Sequence, residues 1–540
     1  MAADTIYKNG KIATVNETFD FVQAMAVKDG RILFCGSEEE AEKWRGKETE
    51  TVSLEGRLVL PGTFDSHIHA AYAGLSMAPE FVTCEPEDAG NLAELNGLLA
   101  EKANHLPEDA WMIGWGFKLD GIREWREEKR LPDWRDIAEG AKGHPVILHD
   151  GGLHRILVSA RALELAGITK DTIFSKEEGT MYRFPDGSPT GLFTDFGTQA
   201  RIGRAAYHLS EEEMEACIRR MQRKLNSYGI TSHTDIVGIG GDDLCFGTFG
   251  QPAIRAYERL SEKEGLTARV FLNLLAGKNG VQSSDAILGG LEEMELPKFQ
   301  NRDWVRADTV KIFGDDGWSR DGKSGYCMFP GETDQEQIAD MRKTILELHR
   351  RGWQMGIHLT GGKGIDAAVA ALTEAERQLP GRDLRHFLLH GSALVTQNIA
   401  DCAANGIELA AQAVGGYVFG GGTDLKTPLQ MGMRISQGSD GPALPMNWIW
   451  GLHYLVNREN REGKLCRPEL ALDLKDAICF YTRNAAYQNH AEAALGSLEP
   501  GKYADFQILD RDLFTIDPKE IKDTVVLETV CGGKTVYKKI

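Results

Sequence analysis

The segment FDSHIHAAY, residues 64–72, carries two histidines one residue apart, directly behind an apolar run that ends in Pro-Gly. Side chains on a β-strand alternate between its two faces, so His67 and His69 would point the same way if the strand extended to them. Two imidazoles at one strand end can share a cation. The alternative interpretation is a polar strand end without a metal, and the pair alone does not decide between the two.

Four further residues with the chemistry of metal ligands lie at the ends of predicted strands. They are Lys311 in TVKIFGDD, His358 in QMGIHLTG, His390 in FLLHG and Asp440 in SQGSDGP. Each has a structural alternative, because a histidine can be a hydrogen-bonded core residue and an aspartate between glycines can cap a turn. Six such residues at successive strand ends exceed what chance is expected to supply, so together they favour a metal centre.

Lys311 is the least expected member of this set, because it lies inside the apolar run TVKIF. A buried ammonium is unfavourable unless it is paired or neutral, and an ammonium has no lone pair for a metal. A neutral lysine can add carbon dioxide and become a carbamate, whose two oxygens could bridge two cations. A salt bridge to Asp315 or Asp316 is the structural alternative.

The elements that must position these residues follow an alternating strand and helix pattern. Helical segments at 341–352 and 364–379 have apolar residues at three- and four-residue spacing. The predicted strands are 58–64, 229–236, 268–275, 309–314, 354–358, 385–390, 407–412 and 434–440. Eight strands with crossover helices predict an α/β fold with a (β/α)8 TIM-type barrel, in which the reactive groups gather at the carboxyl ends of the strands.

Both ends of the chain are β-patterned, and Gly532-Gly533 predicts a hairpin turn near the carboxyl end. We expect residues 1–57 and 488–540 to form one small β-sandwich domain around a barrel of residues 58–487. About 160 residues separate the first two barrel strands, which is too long for an ordinary crossover. We therefore expect an inserted subdomain at about 75–225 over the barrel mouth.

The composition is that of a globular protein, with 540 residues, 42% of them hydrophobic and 26% charged. A formal net charge of −19 repels phosphate backbones, so we expect a small-molecule substrate and no nucleic acid. No signal peptide and no run of membrane-spanning length is evident, so we expect a cytoplasmic protein without a membrane partner. The nine scattered cysteines contain no Cys-x-x-Cys and predict reduced thiols.

Several longer motifs resemble the metal-dependent amidohydrolase superfamily, and within it amidohydrolase family 3, the branch that includes N-substituted formamide deformylase. The resemblance runs almost end to end. The motifs that carry it are GRLVLPGTFDSHIH, LHRILVSARALELAGIT, DGSPTGLF, TVKIFGDDG, GIHLTGGKGIDAAVAAL, RHFLLHG, GSDGP and YTRNAAYQNHAEAALGSLEPGKYADFQILDRD. The tail segment GSLEPGKYADF corresponds to the return into the family's small β-sandwich, which implies that the two ends form one domain.

The resemblance implies hydrolysis of a carbon–nitrogen bond outside peptides, in an amide or an N-acyl or N-formyl compound, by a hydroxide held between two divalent ions. Zinc is favoured, with manganese, iron or nickel as alternatives. The implied ligands are His67, His69 and Asp440 for one ion, His358 and His390 for the other, and Lys311 as a bridging carbamate. Asp440 would also be the general base that passes a proton to the leaving amine.

The residues implied to contact substrate lie in the predicted insertion. His154 stands where the family has a histidine ahead of an Asn-Ser-x-Ala-Leu segment, although a surface or capping role is the alternative. Trp115 is a second candidate, as part of an aromatic mouth or as packing. The candidates for that mouth are Trp115, Phe117, Tyr417, Phe419 and Trp448. Ser159 and Ala160 replace the family's Asn-Ser, and HLTGGKG replaces its usual sequence after His358, so substrate identity stays open.

Three other functions compete with this one. Deaminases of the superfamily usually carry a glutamate three residues after the fifth-strand histidine, where this chain has Gly361. A lactonase or phosphotriesterase would use the same metal centre. The third is a non-catalytic barrel, as in relatives that assemble into oligomers after losing metal ligands, whereas all six ligands are present here. We also expect a homo-oligomer, as a dimer or a tetramer.

Overall fold

A computed structural model describes residues 2–539 except 79–80, 86–87, 153, 177, 207–208, 240–249 and 295. Within these ranges no helix is both long enough and apolar enough to cross a bilayer. The described cysteines form no disulfide with one another. Cys245 lies outside the described residues.

Eight parallel strands form one sheet in sequential order, which confirms the α/β fold with an eight-stranded, nearly closed barrel. The strands are β1 (Thr63–Asp65), β2 (Ile230–Gly238), β3 (Arg269–Leu275), β4 (Val305–Phe313), β5 (Gln354–Leu359), β6 (Phe387–His390), β7 (Glu408–Ala411) and β8 (Ile435–Gln437). Each overlaps one of the eight predicted strands. Their runs of apolar residues are buried, as expected for a parallel sheet covered on both faces.

The first predicted strand, 58–64, is wrong in one respect, because it spans two strands of two different sheets. Leu58–Pro61 belongs to a sheet made from the chain ends, and β1 begins only at Thr63. Gly62 separates them and lies so close to Thr231 that a Cβ there would come within 2.0 Å of its hydroxyl oxygen. Glycine permits this close approach, and so the chain passes from one sheet to the next within a single residue.

The helices that cover the barrel follow from capping and periodicity. Asp334–Arg351 begins with a capping box between Thr333 and Glu336 and ends at Gly352, whose φ of 84° is left-handed. Its buried face recurs every three or four residues. The other helices after β2 are Gly250–Glu262, Ser284–Glu293, Gly362–Gln378, Thr396–Ala404, Ala413–Phe419, Lys426–Gln430, Trp448–Asn457, Leu474–Phe480 and Arg483–Gln488. Both predicted helices, 341–352 and 364–379, lie within or overlap observed ones.

The two chain ends contribute strands to shared structure. One sheet has the order Arg31–Gly36, Ala24–Lys28, Thr5–Lys8 and Glu50–Ser53; the other has the order Lys534–Lys538, Val526–Cys531, Phe506–Leu509, Leu58–Pro61, Lys11–Ala13 and Phe21–Val22. A cluster of buried apolar side chains draws on both ends. The Gly532-Gly533 turn forms as predicted, with φ of 57° and 74°. The domain boundaries at residues 57 and 487 stay a prediction.

The long segment between β1 and β2 contains a sheet of its own. Its order is Thr180–Arg183, Pro189–Thr194, Arg155–Val158, Val146–Asp150, Met112–Phe117 and Val82–Thr83. Its helices are Ala70–Ser76, Leu92–Ala103, Arg123–Glu128, Ala138–Ala141, Ala160–Leu165, Phe196–Ala206 and Glu211–Ser227. Two further apolar clusters are buried against this sheet. Its status as a separate subdomain stays a prediction.

A buried ion pair joins the barrel to the chain-end sheets. Arg269, the first residue of β3, donates from Nε and Nη2 to the carboxylate of Asp505 at 2.7 and 3.1 Å. Its guanidinium also stacks on the ring of Tyr503, with Cζ 3.6 Å from the centroid. Both charged side chains are at most 5% exposed. Removing either one would leave the other as an unpaired buried charge, which strongly destabilises a folded protein.

Candidate metal centre

His67, His69 and Asp440 meet at the mouth of the barrel, between β1 and β8. Both imidazole Nε2 atoms face one oxygen, Asp440 Oδ1, at 3.2 Å from His67 and 3.4 Å from His69. The His67 and His69 side chains are 1% and 4% exposed, whereas Asp440 is 20% exposed. The three groups are therefore sheltered from water except on the side of the carboxylate.

The position of the histidine pair differs from the sequence prediction. β1 ends at Asp65, so His67 and His69 lie in the following loop, and the helix starts at Ala70. Strand alternation is therefore not what aims them at the same point. The backbone does so instead: Asp440 donates its N–H to the His67 carbonyl at 2.7 Å, and His69 donates its N–H to the Gly441 carbonyl at 2.9 Å.

Asp65, which the sequence prediction missed, joins the two loops of this group. Its Oδ1 accepts hydrogen bonds from the backbone N–H of His67 at 3.2 Å and of Ser439 at 2.9 Å. Burial raises the pKa of the Asp65 carboxyl to about 7. The sequence did contain a signal for Asp65: an acidic residue at the end of an apolar strand, two positions before a histidine pair.

His358 and His390 form the second histidine pair, at the ends of β5 and β6. Nδ1 of His358 lies 2.9 Å from Nε2 of His390. Gln412, also missed from the sequence, places its carbonyl oxygen 2.8 Å from His390 Nδ1, which must therefore carry the hydrogen. This contact leaves the lone pair of His390 on Nε2, which faces His358 Nδ1.

Lys311 is fully buried in β4, two residues before the strand ends. Its Nζ has no hydrogen-bond partner among the described residues, and it lies 4.5 Å from the ring centroid of Phe313. A salt bridge to Asp315 is not formed; that carboxylate accepts the backbone N–H of Thr360 and of Gly361 instead. Burial lowers the pKa of the Lys311 ammonium to about 7, so the neutral amine is accessible.

The two histidine pairs belong to one site. The rings of His67 and His390 are 5.5 Å apart between centroids, and those of His358 and His390 are 4.4 Å apart. Burial lowers the pKa of His67 to about 3 and of His390 to about 4, which keeps both imidazoles neutral. Neutral imidazoles, a carboxylate and an unpaired buried amine are a donor set that fits divalent metal ions such as zinc.

His154, the first predicted substrate contact, lies beside the second histidine pair. Its ring centroid is 6.0 Å from that of His358. The backbone holds it from both sides, because Asp150 accepts the N–H of Arg155 at 2.9 Å and His154 itself accepts the N–H of Asp195 at 3.1 Å. His154 lines a cavity of about 330 Å³ with Arg155 and Tyr326, called here the polar cavity.

Trp115, the second predicted substrate contact, lines a different cavity of about 560 Å³. Tyr417, Phe419 and Trp450 share its wall, and we call it the aromatic cavity. Two members of the predicted aromatic mouth are elsewhere. Phe117 is buried in the core of the inserted sheet against Trp125, and Trp448 is buried with its indole N–H donated to the Tyr228 carbonyl.

A second group of potential ligands, His349, Glu376 and His386, is explained without a metal. His386 Nδ1 accepts the N–H of Met355 at 3.1 Å, so its Nε2 carries the hydrogen that faces His349 Nδ1 at 3.0 Å. His349 Nε2 then donates to the Leu379 carbonyl at 3.0 Å. Every ring nitrogen of the two histidines is used, and the chain of bonds connects β5 to the helices beside it.

Known proteins of similar sequence align with nearly the whole chain. N-substituted formamide deformylase of Arthrobacter pascens is 24% identical, with 99% of this chain and 98% of the relative aligned. Putative amidohydrolase YtcJ of Bacillus subtilis (strain 168) is 26% identical, with 99% of both chains aligned.

Solved structures show the same fold. An uncharacterized metal-dependent hydrolase from Pyrococcus furiosus superposes with a TM-score of 0.67 at 22% identity, over 95% of this chain and 99% of that one. Atrazine chlorohydrolase TrzN from Arthrobacter aurescens TC1, solved with zinc, gives 0.55 at 13% identity, over 99% of this chain and 95% of that one.

A family model for the amidohydrolase family matches residues 50–537, which is most of the chain and includes all six predicted ligands. The resemblance inferred from the sequence motifs is confirmed by this match, as is the prediction that the protein is an enzyme of the amidohydrolase class. The chain belongs to the amidohydrolase family.

Proposed function

We propose that the protein hydrolyses a carbon–nitrogen bond of a small N-acyl or N-formyl amine with the help of two divalent metal ions, zinc being favoured. The observation that carries the proposal is the meeting of four histidines, one aspartate and a lysine whose Nζ has no hydrogen-bond partner among the described residues, at a single barrel mouth. Those six side chains come from five strands or their following loops, between residues 67 and 440. The name of the Arthrobacter pascens relative, which identifies it as acting on N-substituted formamides, supports this bond class.

The donor set divides into two halves. His67, His69 and Asp440 would hold one ion, and His358 with His390 would hold the other. Divalent metal ions supply Lewis acidity, which makes water more acidic and draws electrons from a carbonyl oxygen. Gln412 fixes the hydrogen on His390 Nδ1, so Nε2 carries the lone pair that a metal ligand needs; a metal ion there would take the place of the hydrogen that His358 Nδ1 donates to it.

Lys311 would connect the two halves as a carbamate. Its neutral amine forms a bond to the carbon of carbon dioxide and releases one proton, which leaves an anionic group with two oxygens. The amine is suited to this step because burial lowers its pKa to about 7 and no described residue occupies its lone pair. The new negative charge would be balanced by the divalent ions, because the surrounding imidazoles of His67 and His390 are neutral.

Asp440 would transfer the proton. Its carboxylate is the most exposed of the ionisable groups at the early histidine pair, so it can reach a water molecule entering from the mouth. It takes a proton from that water as the oxygen attacks the carbonyl carbon, and gives it to the nitrogen as the carbon–nitrogen bond breaks. The amine leaves neutral, and the carboxylate is regenerated.

Deamination is the less favoured alternative, for a steric reason. Gly361 stands where deaminases of the superfamily usually have their glutamate, and a Cβ at this position would lie 2.1 Å from the backbone nitrogen of Trp318. No side chain can be added there without moving the loop after β4. Ester and lactone hydrolysis would use the same groups. Comparing amine release with alcohol release from matched amides and esters separates these reactions from amide hydrolysis.

Amine release from a panel of N-formyl and N-acetyl amines, with the matched esters in parallel, tests the proposal. We expect purified protein to carry about two divalent ions per chain, as the ligand count predicts, and to release amine faster than alcohol. Lys311→Ala should lose both metal and activity. Lys343→Ala is the matched control, because Lys343 is an exposed lysine paired with Asp285 away from the site.

Three results would contradict different parts of the proposal. Full metal content and activity in Lys311→Ala would remove the bridging role. Ester cleavage without amine release would reassign the bond class, and ammonia release from amino-substituted rings would favour a deaminase.

A further inference from the structure

β2 contributes none of the six predicted ligands, yet it carries a buried carboxylate that is bonded to the backbone beside one of them. Asp235 lies in β2 and is 1% exposed. Its Oδ1 accepts the backbone N–H of Ala70 at 2.7 Å, and its Oδ2 accepts that of Ala71 at 3.2 Å. These two residues directly follow His69, so a side chain from another strand holds the backbone next to a predicted metal ligand.

The helix that starts at Ala70 has no cap from its own segment. His69 occupies the N-cap position, and its side chain makes no capping hydrogen bond. The first N–H groups of a helix have no partner within the helix, so a buried helix start needs an acceptor from elsewhere. Asp235 supplies this acceptor, and the imidazole of His69 can face Asp440 Oδ1 instead, with its Nε2 at 3.4 Å.

The peptide groups on both sides of His69 are therefore hydrogen-bonded to other parts of the barrel. His69 donates its own N–H to the Gly441 carbonyl at 2.9 Å, and the next N–H, that of Ala70, is donated to Asp235. Together the two bonds fix the orientation of the His69 Cα and the direction in which its imidazole leaves the backbone. A functional side chain must be held to within about 0.5 Å of its working position, so this anchoring bears on metal affinity.

Tyr257 binds the same carboxylate from the surrounding helices. It lies on the helix Gly250–Glu262, is fully buried, and donates its hydroxyl hydrogen to Asp235 Oδ2 at 2.6 Å. Removing this hydroxyl would take one hydrogen bond from Asp235 and keep both bonds to the backbone after His69.

The carboxylate is held at a cost to the folded state. Burial raises the pKa of Asp235 to about 7, which means that its three hydrogen bonds only partly offset the loss of hydration. A residue that lowers stability and also orders the backbone beside a predicted ligand is typical of a functional site.

We infer that Asp235 is a positioning residue of the candidate metal centre. Through the N–H groups of Ala70 and Ala71 it sets the direction of His69, and so the affinity of the early half of the donor set for a divalent ion. That half consists of His67, His69 and Asp440. The inference rests on the proposed function, because it takes His69 to be a ligand, and it gives β2 a role in a centre to which it contributes no ligand.

Zinc affinity of the early half alone tests the inference. His358→Ala disables the other half, and the dissociation constant of the remaining ion is measured by competition with a chromophoric chelator. In this background Asp235→Leu, which has a similar size and no acceptor, should weaken zinc binding by about tenfold or more, the usual effect of removing a partner that orients a ligand. Asp235→Asn keeps one acceptor oxygen and should weaken it by about threefold to fivefold, as expected for one lost hydrogen bond.

Two controls in the same background separate positioning from stability. Tyr257→Phe should lower the free energy of unfolding of the metal-free protein and leave zinc affinity unchanged, because the backbone bonds stay. Asp315→Leu is the matched control from the other half, since Asp315 is also buried and accepts two backbone N–H groups, those of Thr360 and Gly361. It should lower stability and leave the affinity of the early half unchanged.

Unchanged zinc affinity in the Asp235 variants would overturn the inference, as would losses of affinity that simply follow the losses of stability, Tyr257→Phe and Asp315→Leu included. If Asp235→Leu does not fold, Asp235→Asn against Tyr257→Phe decides, because each weakens the hydrogen bonding of the same carboxylate. Two zinc ions in the wild-type protein with no effect of Asp235 would overturn the inference and leave the proposed function standing. A wild-type protein that binds no zinc would overturn the proposed metal centre and the inference with it.

Discussion

Replacing Lys311 with methionine should stabilise the metal-free protein while it removes metal binding and activity. Lys311 is fully buried and its Nζ has no hydrogen-bond partner among the described residues, so the folded state gains little from the amine. Methionine has nearly the same length and no charge to desolvate. Opposite effects on stability and function are the mark of a residue retained for chemistry.

The magnitude follows from the pKa of Lys311, which burial lowers from 10.5 to about 7. The unfolded chain binds a proton on this lysine up to about pH 10.5, whereas the folded chain releases it near pH 7. Stability therefore rises with pH between these values. At about 1.36 kcal/mol per pKa unit, the lysine destabilises the folded state by about 4 kcal/mol at pH 7 and about 2 kcal/mol at pH 9. These are upper limits, because water penetration and local relaxation reduce them.

The assay is urea unfolding of chelator-treated wild-type protein, Lys311→Met and Lys343→Met at pH 7, 8 and 9. Lys311→Met should be more stable by about 1–4 kcal/mol at pH 7, and its advantage should shrink as the pH rises. Lys343→Met removes an exposed charge and should change stability by no more than about 0.5 kcal/mol. Metal analysis of the same three proteins before chelator treatment reports ligand loss.

A Lys311→Met protein that is less stable at every pH would refute the reasoning, because it would mean that the folded state pairs the amine with a partner. A stability gain that does not depend on pH would refute the desolvation argument alone and leave packing as its source.

Four shorter predictions concern other parts of the molecule. Asp440→Asn should keep the fold by circular dichroism and lower the amide hydrolysis rate by about 10²–10⁴-fold; an unchanged rate would contradict its role as a base. Arg269→Met should lower the free energy of unfolding by about 3–5 kcal/mol because it leaves the buried carboxylate of Asp505 unpaired, and the double variant with Asp505→Leu should recover most of the loss in a denaturant titration. Burial lowers the pKa of His386 to about 3, so acid protonates this residue in the unfolded chain first, and it should contribute up to about 1.4 kcal/mol per pH unit to the loss of stability between pH 6.5 and 4; His386→Gln should reduce the slope of the wild-type protein by that amount. Gly361→Ala should lower the melting temperature, by the equivalent of about 1–3 kcal/mol, because its methyl group meets backbone atoms; an unaffected melting temperature would weaken the steric argument against a deaminase.

The barrel was the most predictable part of the fold. Apolar runs such as TVKIF and FLLH mark strands buried on both faces, and all eight predicted positions overlap observed strands. The error at 58–64 came from treating LVLPGTF as one strand although it contains Pro-Gly, a common turn signal; the strands divide at Gly62, which lies against Thr231. That contact joins residues far apart in sequence, so the local pattern could not reveal it.

The candidate site was predicted by residue type more successfully than by geometry. His67 and His69 do face the same point, but loop hydrogen bonds direct them and strand alternation does not. The residues that line the aromatic mouth were harder to predict from the sequence. Phe117 and Phe419 look alike in sequence, yet one lies in the core of the inserted sheet and the other on a cavity wall, because the packing of the segment between β1 and β2 decides which surfaces face the mouth.

The junction between β1 and β8, called here the seam, shows that the candidate site depends on closure of the barrel. No ladder of hydrogen bonds joins these two strands within the described ranges; the connection is made by the loops that follow them and by one bond from the Ser66 N–H to the Gln437 carbonyl at the end of β8. Asp440 donates its backbone N–H to the His67 carbonyl there, and a Cβ at Gly438 would lie 2.5 Å from the backbone nitrogen of His67. Asp65 completes the seam by binding both loops through one carboxylate oxygen. The contacts that close the barrel are therefore the same contacts that bring the early histidines to the late aspartate, and a chain that failed to close would lose the donor set with it.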